Sequence, residues 1–310
     1  MRRCRVCGDA VLNKLSGIAL PGLVAAALAI LANTGAPAAP LQLPDSRGIE
    51  VRLEQPARRI VTLTPHLTEL VYAAGAGARL VGVARFSDYP PEVRKLPFIS
   101  DAVQLDLERI VALRPDLILA WQSGTPAGAV TRLERLGLPV FVSDAARLED
   151  IARNVETIAL LAGTLSAGAA ARARLEEELR SLRGRSHQGA PVRVFYEIWP
   201  RPLMTVNRAH IISDVIRLCG GVNVFGDLRV LTPEISREAL MAANVEVALG
   251  GGSADDAGKF SARWAALPPP LNAVPAYFIP PDLIQRPTPR LMSGARLVCA
   301  HLDAVRSARR

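Results

Sequence analysis

Aromatic residues make up only 5% of this 310-residue chain, so the position of each Trp, Tyr and Phe is informative. Lysine is scarcer still, with Lys14, Lys95 and Lys259 the only three among 37 basic residues. The arginines are scattered and never massed into a run or stripe, which argues against a nucleic-acid partner. Four cysteines are too few for a disulfide-stapled scaffold of this length. Catalytic signatures are missing as well: there is no G-x-S-x-G elbow, no H-E-x-x-H and no G-x-x-x-x-G-K-[ST]. His66, His187, His210 and His301 pair with no other His or Cys at ligand spacing, so no metal site is expected. Gly250-Gly251-Gly252-Ser253 lacks the Lys of a phosphate-binding loop and reads as a plain loop.

What is present points to a folded, exported chain. Half of the residues are hydrophobic and 21% are charged, a balance that supports a core rather than disorder. Arg2, Arg3, Arg5 and Lys14 precede an apolar stretch from Leu15 to Ala32, and Ala36-Pro37-Ala38 follows. A basic start, an apolar centre and a small-residue A-x-A site describe a signal peptide, expected over residues 1–38 and cleaved on export. Cys4 and Cys7 fall in that segment, so their C-x-x-C spacing carries no redox or metal meaning. Without it the chain has 33 basic and 28 acidic side chains, a modest net +5. Cys219 and Cys299 remain, and an even pair in an exported chain points to one disulfide, with two buried thiols as the alternative.

Short β-branched runs alternate with helical patterns beyond the leader. Residues 60–63, 81–83, 117–119 and 140–142 read as strands, with helical spacing over 67–74, 107–113 and 130–136. This alternation implies βαβ units and a mainly parallel sheet. The pattern restarts at Val192 after an Ala-, Leu-, Glu- and Arg-rich stretch from Ser166 to Arg183, read as one helix with Ser166 as N-cap. The predicted fold class is therefore α/β: two Rossmann-like lobes with mainly parallel sheets, joined by a long rigid helix. The expected boundaries are 39–163 for the first lobe, 164–186 for the helix and 187–310 for the second lobe.

A weak repeat links the lobes. The segment from Glu108 to Leu119 recurs as Glu238 to Leu249, 130 positions later. Each reads as a helix opened by Glu, a turn with an acidic residue, then a buried strand. Glu at a helix start has a plain dipole explanation. Its occurrence at matching positions of two lobes also suggests a pair of docking points for an arginine-bearing partner.

Open α/β sheets contact ligands through loops at strand C-termini. That rule selects His66, the loop from Arg85 to Pro90, Trp121, the segment from Trp199 to Asn207, and the segment from Asp282 to Arg286. Phe86, Trp121 and Trp199 would line a cleft, with Asp282 and Arg286 as polar handles for a large, partly flat ligand.

The residues in this order carry a family likeness. Arg59 to Pro65, Thr68-Glu69-Leu70, Val81-Gly82-Val83, Ser87 to Pro91, Leu107 to Asp116, Cys219-Gly220-Gly221, Ser236-Arg237-Glu238 and Pro289-Arg290 resemble the periplasmic cobalamin-binding proteins of bacterial ABC importers. The likeness runs over nearly all of 58–303. It implies two lobes on one helix with little hinge motion. It also implies that Glu108 and Glu238 dock on permease arginines, that Cys219 and Cys299 form a disulfide, and that Trp121, Asp282 and Arg286 touch the ligand. Departures from the family pattern are Phe86 for a Tyr, Ala102 and Thr232 for two Trp, Met204 for a Phe, Trp199 for a small residue, and His66, which could touch the ligand or its metal.

The resulting expectation is a monomeric, non-enzymatic periplasmic solute-binding protein. It would carry cobalamin or a related corrinoid as cargo, with no cofactor of its own, to an ABC permease. Phe86, Trp121, Trp199 and Met204 would bury the ring, and His66, Asp282 and Arg286 would supply polar contacts. The same fold carrying a ferric siderophore or haem is the alternative, with His66 or Tyr89 as axial candidates for haem. An exported metal-dependent hydrolase is a weaker one.

Overall fold

A computed structural model describes residues 40–100, 104–184, 189–251 and 257–309. The leader with Cys4 and Cys7, and also Ala102, His187, Gly252 and Ser253, lie outside the described residues. The described residues form one compact unit built on two four-stranded parallel sheets.

The first lobe opens with a hairpin of β1 (Leu41–Pro44) and β2 (Glu50–Leu53). Its sheet holds β3 (Ile60–Thr62), β4 (Leu80–Val83), β5 (Leu117–Trp121) and β6 (Val140–Ser143), in the order β4-β3-β5-β6. α1 (Pro65–Ala73), α2 (Leu107–Ala112), α3 (Ala127–Arg135) and α4 (Leu148–Ala162) cover it. The strands are near-continuous apolar runs because both faces of the sheet are buried beneath helices.

The second sheet repeats the arrangement. β7 (Val192–Glu197), β10 (Gly221–Asn223), β11 (Val247–Gly250) and β12 (Ala276–Phe278) lie in the order β10-β7-β11-β12. A small antiparallel hairpin, β8 (Trp199–Pro200) with β9 (Leu203–Met204), projects from the end of β7. α6 (Ile211–Leu218), α7 (Arg237–Ala242), α8 (Ala257–Ala265), α9 (Pro281–Ile284) and α10 (Leu291–Ala308) complete the lobe.

The two-lobe α/β reading is therefore correct, and the expected long helix ahead of the second sheet is α5 (Leu165–Arg183), preceded in the same connection by α4. The cap differs from expectation. Thr164, not Ser166, stands at the N-cap position, and its hydroxyl donates to Ala74 O at 2.6 Å, tying α5 to the end of α1. The sequence reading also passed over α4, whose apolar face packs against α5 in the core. One core cluster runs from the first lobe through α4 and α5 into the second.

The internal repeat is structural in detail. Arg59 Nε donates to Leu113 O and Arg114 O, both at 3.1 Å, closing the end of α2. Arg193 does the same for α7, with Nε on Asn244 O at 2.9 Å and Nη2 on Ala243 O at 2.8 Å. Arg114 and Asn244 both take left-handed backbone, φ 45° and 48°, as helix-ending residues do. Asp116 and Glu246, the acidic turn residues, accept backbone N–H groups of Arg59 and Arg193 at 2.8 Å. Among the described residues no helix is long and apolar enough to cross a membrane.

Candidate functional site

A large cavity, about 1040 Å³, opens at the C-terminal ends of β7, β11 and β12, with Phe86 reaching it from the first lobe. Trp199, Phe260, Gln285 and Arg286 form much of the opposite wall. Its volume stands at the upper end of the roughly 300–1,000 Å³ common for small-molecule sites. Gly251 lies in the lining, and a Cβ there would meet Ile279 O at 2.8 Å. The close approach of β11 to the chain after β12 thus accounts for glycine here without a bound phosphate.

Phe86 and Trp199 are the exposed aromatic anchors of the cavity, 63% and 58% accessible. Phe86 sits at φ 67°, backbone that a bulky side chain rarely adopts and that costs on the order of 1–3 kcal/mol. The turn is held from behind: Ser87 N donates to Ala84 O at 3.2 Å, and the buried hydroxyls of Thr62, Thr68 and Ser87 form a chain with spacings of 2.7 and 3.1 Å. Trp199 gives its indole N–H to Arg201 O at 2.9 Å within its own hairpin, which orients the ring. Gln285 is positioned by Tyr196, with its Nε2 3.2 Å from the buried phenol oxygen. Deeper in, Arg263 and the buried carboxylate of Glu197 form a two-bond ion pair.

Arg286 lines the cavity, but its guanidinium belongs to a cluster that spans the lobes. Glu69 of α1, with its side chain 2% exposed, accepts from Arg286 Nη1 at 3.0 Å and from Arg290 Nε and Nη2 at 2.9 and 2.6 Å. Arg286 also meets Asp88 at 2.7 Å, Asp282 at 3.0 Å and Phe86 O at 3.3 Å. Arg290 lies over the Tyr89 ring at 4.2 Å. A second tie runs through Asp214 of α6, buried, which accepts the N–H of Leu148 at 2.9 Å and so caps α4 from the other lobe.

The remaining candidates are placed less directly. Trp121 is half-buried, donates to Asp144 Oδ1 at 2.9 Å and is not among the residues lining the large cavity. His66 is buried, with Nδ1 3.1 Å from Thr64 Oγ1 and its ring edge-on to Trp121 at 5.0 Å. Burial, reinforced by the Arg286 cation, lowers its pKa to about 3, so the imidazole is neutral. Met204 pairs with Trp199 across the hairpin and Asp282 is half-exposed beside Arg286; neither is in the cavity lining. Among the described residues no cluster of His, Cys, Asp and Glu is arranged to hold a metal.

Glu108 and Glu238 are both exposed, one residue into α2 and α7 respectively. The caps behind them match: Asp106 accepts from Arg109 N at 2.9 Å and Ser236 from Ala239 N at 3.1 Å. Hydrogen bonding from the Glu238 backbone N–H and from Ser236 holds the Glu238 carboxyl below its usual range. Cys219 and Cys299 form a disulfide between α6 and α10, closing an 80-residue separation. Loop closure of that length stabilises the fold by about 4–5 kcal/mol in the chain-entropy view.

Sequence reasoning gave no site role to Glu69, Arg290 or Phe260, and took in Gln285 only as part of the segment from Asp282 to Arg286. A signal for Glu69 existed: it sits in Leu67-Thr68-Glu69-Leu70-Val71, where every residue is buried, and a carboxylate among them must meet a cation.

Comparison with known proteins fits this architecture. The periplasmic binding protein family matches residues 60–267. A vitamin B12-binding protein of Vibrio parahaemolyticus is 35% identical over 255 residues, 82% of this chain and 93% of that protein. One from Yersinia pestis is 34% identical over 251 residues, covering 81% and 88%. The crystal structure of the periplasmic vitamin B12 binding protein BtuF of Vibrio cholerae superposes with a TM-score of 0.73 at 33% identity, covering 81% of this chain and 98% of that one. The periplasmic haem-binding protein RhuT of Roseiflexus has a TM-score of 0.69 at 23% identity, a likeness of fold.

Proposed function

This chain belongs to the periplasmic binding protein family, and from that premise we propose that it captures cobalamin or a related corrinoid and delivers it to an ABC permease. The observation that carries the reading is the pair of exposed aromatic rings, Phe86 and Trp199, on opposite walls of a 1040 Å³ cavity. A flat macrocycle gains most from such rings, because apolar area is removed from water on both of its faces. Gln285 and Arg286 supply hydrogen bonds at the edge, suited to a ring fringed with amides. Trp121 and His66 support the floor beneath the first-lobe loops, and Met204 and Asp282 steady Trp199 and Arg286.

Cargo that brings its own axial ligands fits this lining better than haem does. Among the described residues of the lining there is no imidazole, phenol, thiol or thioether to ligate an iron. His66 is buried beside Thr64, and neither it nor Tyr89 is among the residues lining the cavity. The protein carries out no chemistry on its cargo in this reading and acts as a monomer. Residues 1–38 act as a cleaved leader, and the lobes divide at α5. Glu108 and Glu238 form the docking pair for the permease. Their support is the matching placement on two equivalent helices.

Calorimetric titration of residues 39–310 with cyanocobalamin, then haem, then a ferric siderophore tests the assignment. Saturable one-to-one cobalamin binding, micromolar or tighter, is expected. A response to haem or siderophore alone would replace the cargo.

A further inference from the structure

The second-lobe wall of the large cavity is built almost wholly from hydrogen-bond donors. Arg201, Lys259, Arg263 and Arg286 line it, and among the described residues no carboxylate does. Trp199 offers only an indole N–H, so Gln285 is the one described side chain of the lining that carries a hydrogen-bond acceptor. We propose that this wall selects an acidic ligand edge: a corrinoid in which at least one peripheral side chain is a free carboxylate rather than an amide. The inference rests on the corrinoid reading above and deepens it by naming the charge of the cargo.

Two of the four cations are already committed. Arg263 Nη1 donates to Oε2 of the buried Glu197 at 2.9 Å, and Arg286 is held by Glu69, Asp88 and Asp282. Arg201 differs. It lies in the turn between β8 and β9, is exposed, and its guanidinium enters no ion pair among the described residues. Its backbone oxygen accepts the Trp199 indole N–H at 2.9 Å, so aromatic ring and cation rise from one point of the hairpin. A macrocycle stacked on Trp199 therefore brings its rim to Arg201. Lys259 and Arg263 stand four residues apart on one face of α8, which continues the positive charge along the same wall.

The chemistry of the ligand's edge decides what such a wall favours. A primary amide presents one carbonyl acceptor and two N–H donors, and those donors need oxygens. Facing a guanidinium, they are left without partners once water is displaced, at the cost of desolvating an unsatisfied group. A carboxylate has only acceptors and takes two parallel N–H bonds from one guanidinium. The contrast lies across Phe86. A smaller cavity there, about 440 Å³, is lined by Thr64, Ser100 and Thr125, whose hydroxyls accept as well as donate. The excess of donors is thus a property of the second-lobe wall.

Cyanocobalamin and its monocarboxylic acids, each with one propionamide hydrolysed, differ by that single group and share every other part. Calorimetric titration of residues 39–310 at low salt should show at least one acid binding about fivefold tighter than cyanocobalamin, the scale of one exposed ion pair. The readout is the ratio of the two affinities, in which the phosphodiester common to both ligands cancels. That ratio should fall to about one in Arg201→Gln and invert in Arg201→Glu, where the acid meets a like charge. Raising salt from about 50 to about 500 mM should shrink it as well, because screening weakens the added pair. Acids that bind no tighter than cyanocobalamin, or a ratio unchanged in both variants, would overturn the acidic edge and leave the corrinoid reading intact. A drop in cyanocobalamin affinity in Arg201→Gln at constant ratio would also overturn it, assigning Arg201 to the phosphodiester instead. Failure of every corrinoid to bind wild type would overturn both readings.

Discussion

Replacing Glu69 by glutamine keeps the outline of the side chain and removes the one charge shared by Arg286 and Arg290. The carboxylate is 2% exposed and accepts three hydrogen bonds from the two guanidiniums. Breaking a buried pair by removing one partner costs about 3–5 kcal/mol. Here Arg286 keeps Asp88 and Asp282, and the two arginines retain 17% and 22% exposure, which soften the loss. The expected destabilisation is about 2–3 kcal/mol, carried mostly by Arg290. For a domain of this size each kcal/mol lowers Tm by about 2–4 °C, so the variant should melt roughly 4–12 °C below wild type. Urea unfolding of Glu69→Gln, Arg290→Met and the double variant would measure the coupling directly. The double variant should lose less than the sum of the singles, by about 1 kcal/mol or more, because the second change removes a cation already stranded by the first. Additivity within about 0.5 kcal/mol, or a Glu69→Gln change smaller than that, would refute the idea that this cluster holds the lobes together.

Three further outcomes follow from the same geometry. Trp199→Ala should weaken corrinoid binding by about 1–3 kcal/mol with little change in unfolding, since the ring is exposed in the free protein; unchanged affinity would remove it from the contact surface. His66, held at about 3, stays neutral in the folded state and takes up its proton in the unfolded chain as pH drops below about 6.5. Its contribution is therefore intact above that value and declines toward about pH 3, a loss of about 2 kcal/mol by pH 5. His66→Gln should shrink the difference in urea stability between pH 7.5 and 5 by about that amount, and an equal pH dependence in the variant would count against the buried neutral imidazole. Glu108→Ala combined with Glu238→Ala should leave cobalamin affinity in calorimetry unchanged and lower permease-dependent uptake; normal uptake would sink the docking pair.

Much of the architecture was legible because it is written in local patterns. Buried parallel strands are apolar runs, and their alternation with helical spacing announced both sheets. The helix between them stood out by composition. The repeat around Glu108 and Glu238 was visible from residue order alone, and the matching caps, left-handed helix ends and arginine closures show that it reflects a shared supersecondary unit. Helix α4 escaped because its apolar positions serve the same core as its neighbours and offer no break in composition. The cleft was harder. Sequence position could nominate Phe86 and Trp199 as strand-end aromatics, yet it ranked Trp121 beside them, and the fold turns that ring toward Asp144 and His66.

By itself the sequence determined the alternation of strand and helix, the duplicated lobe, the cysteine pair and the aromatic residues at strand ends. These follow from local propensity, periodicity and the order of residues along one chain. Tertiary structure alone decided which strand-end residues face the cleft, that Arg286 is held by Glu69 some 217 positions away, and that Phe86 divides two cavities rather than lining one. Those facts depend on how residues of the two lobes, distant in sequence, are brought together. Ion pairs and cavity walls across such a junction are set by three-dimensional packing, which leaves no periodic trace in either partner's own segment.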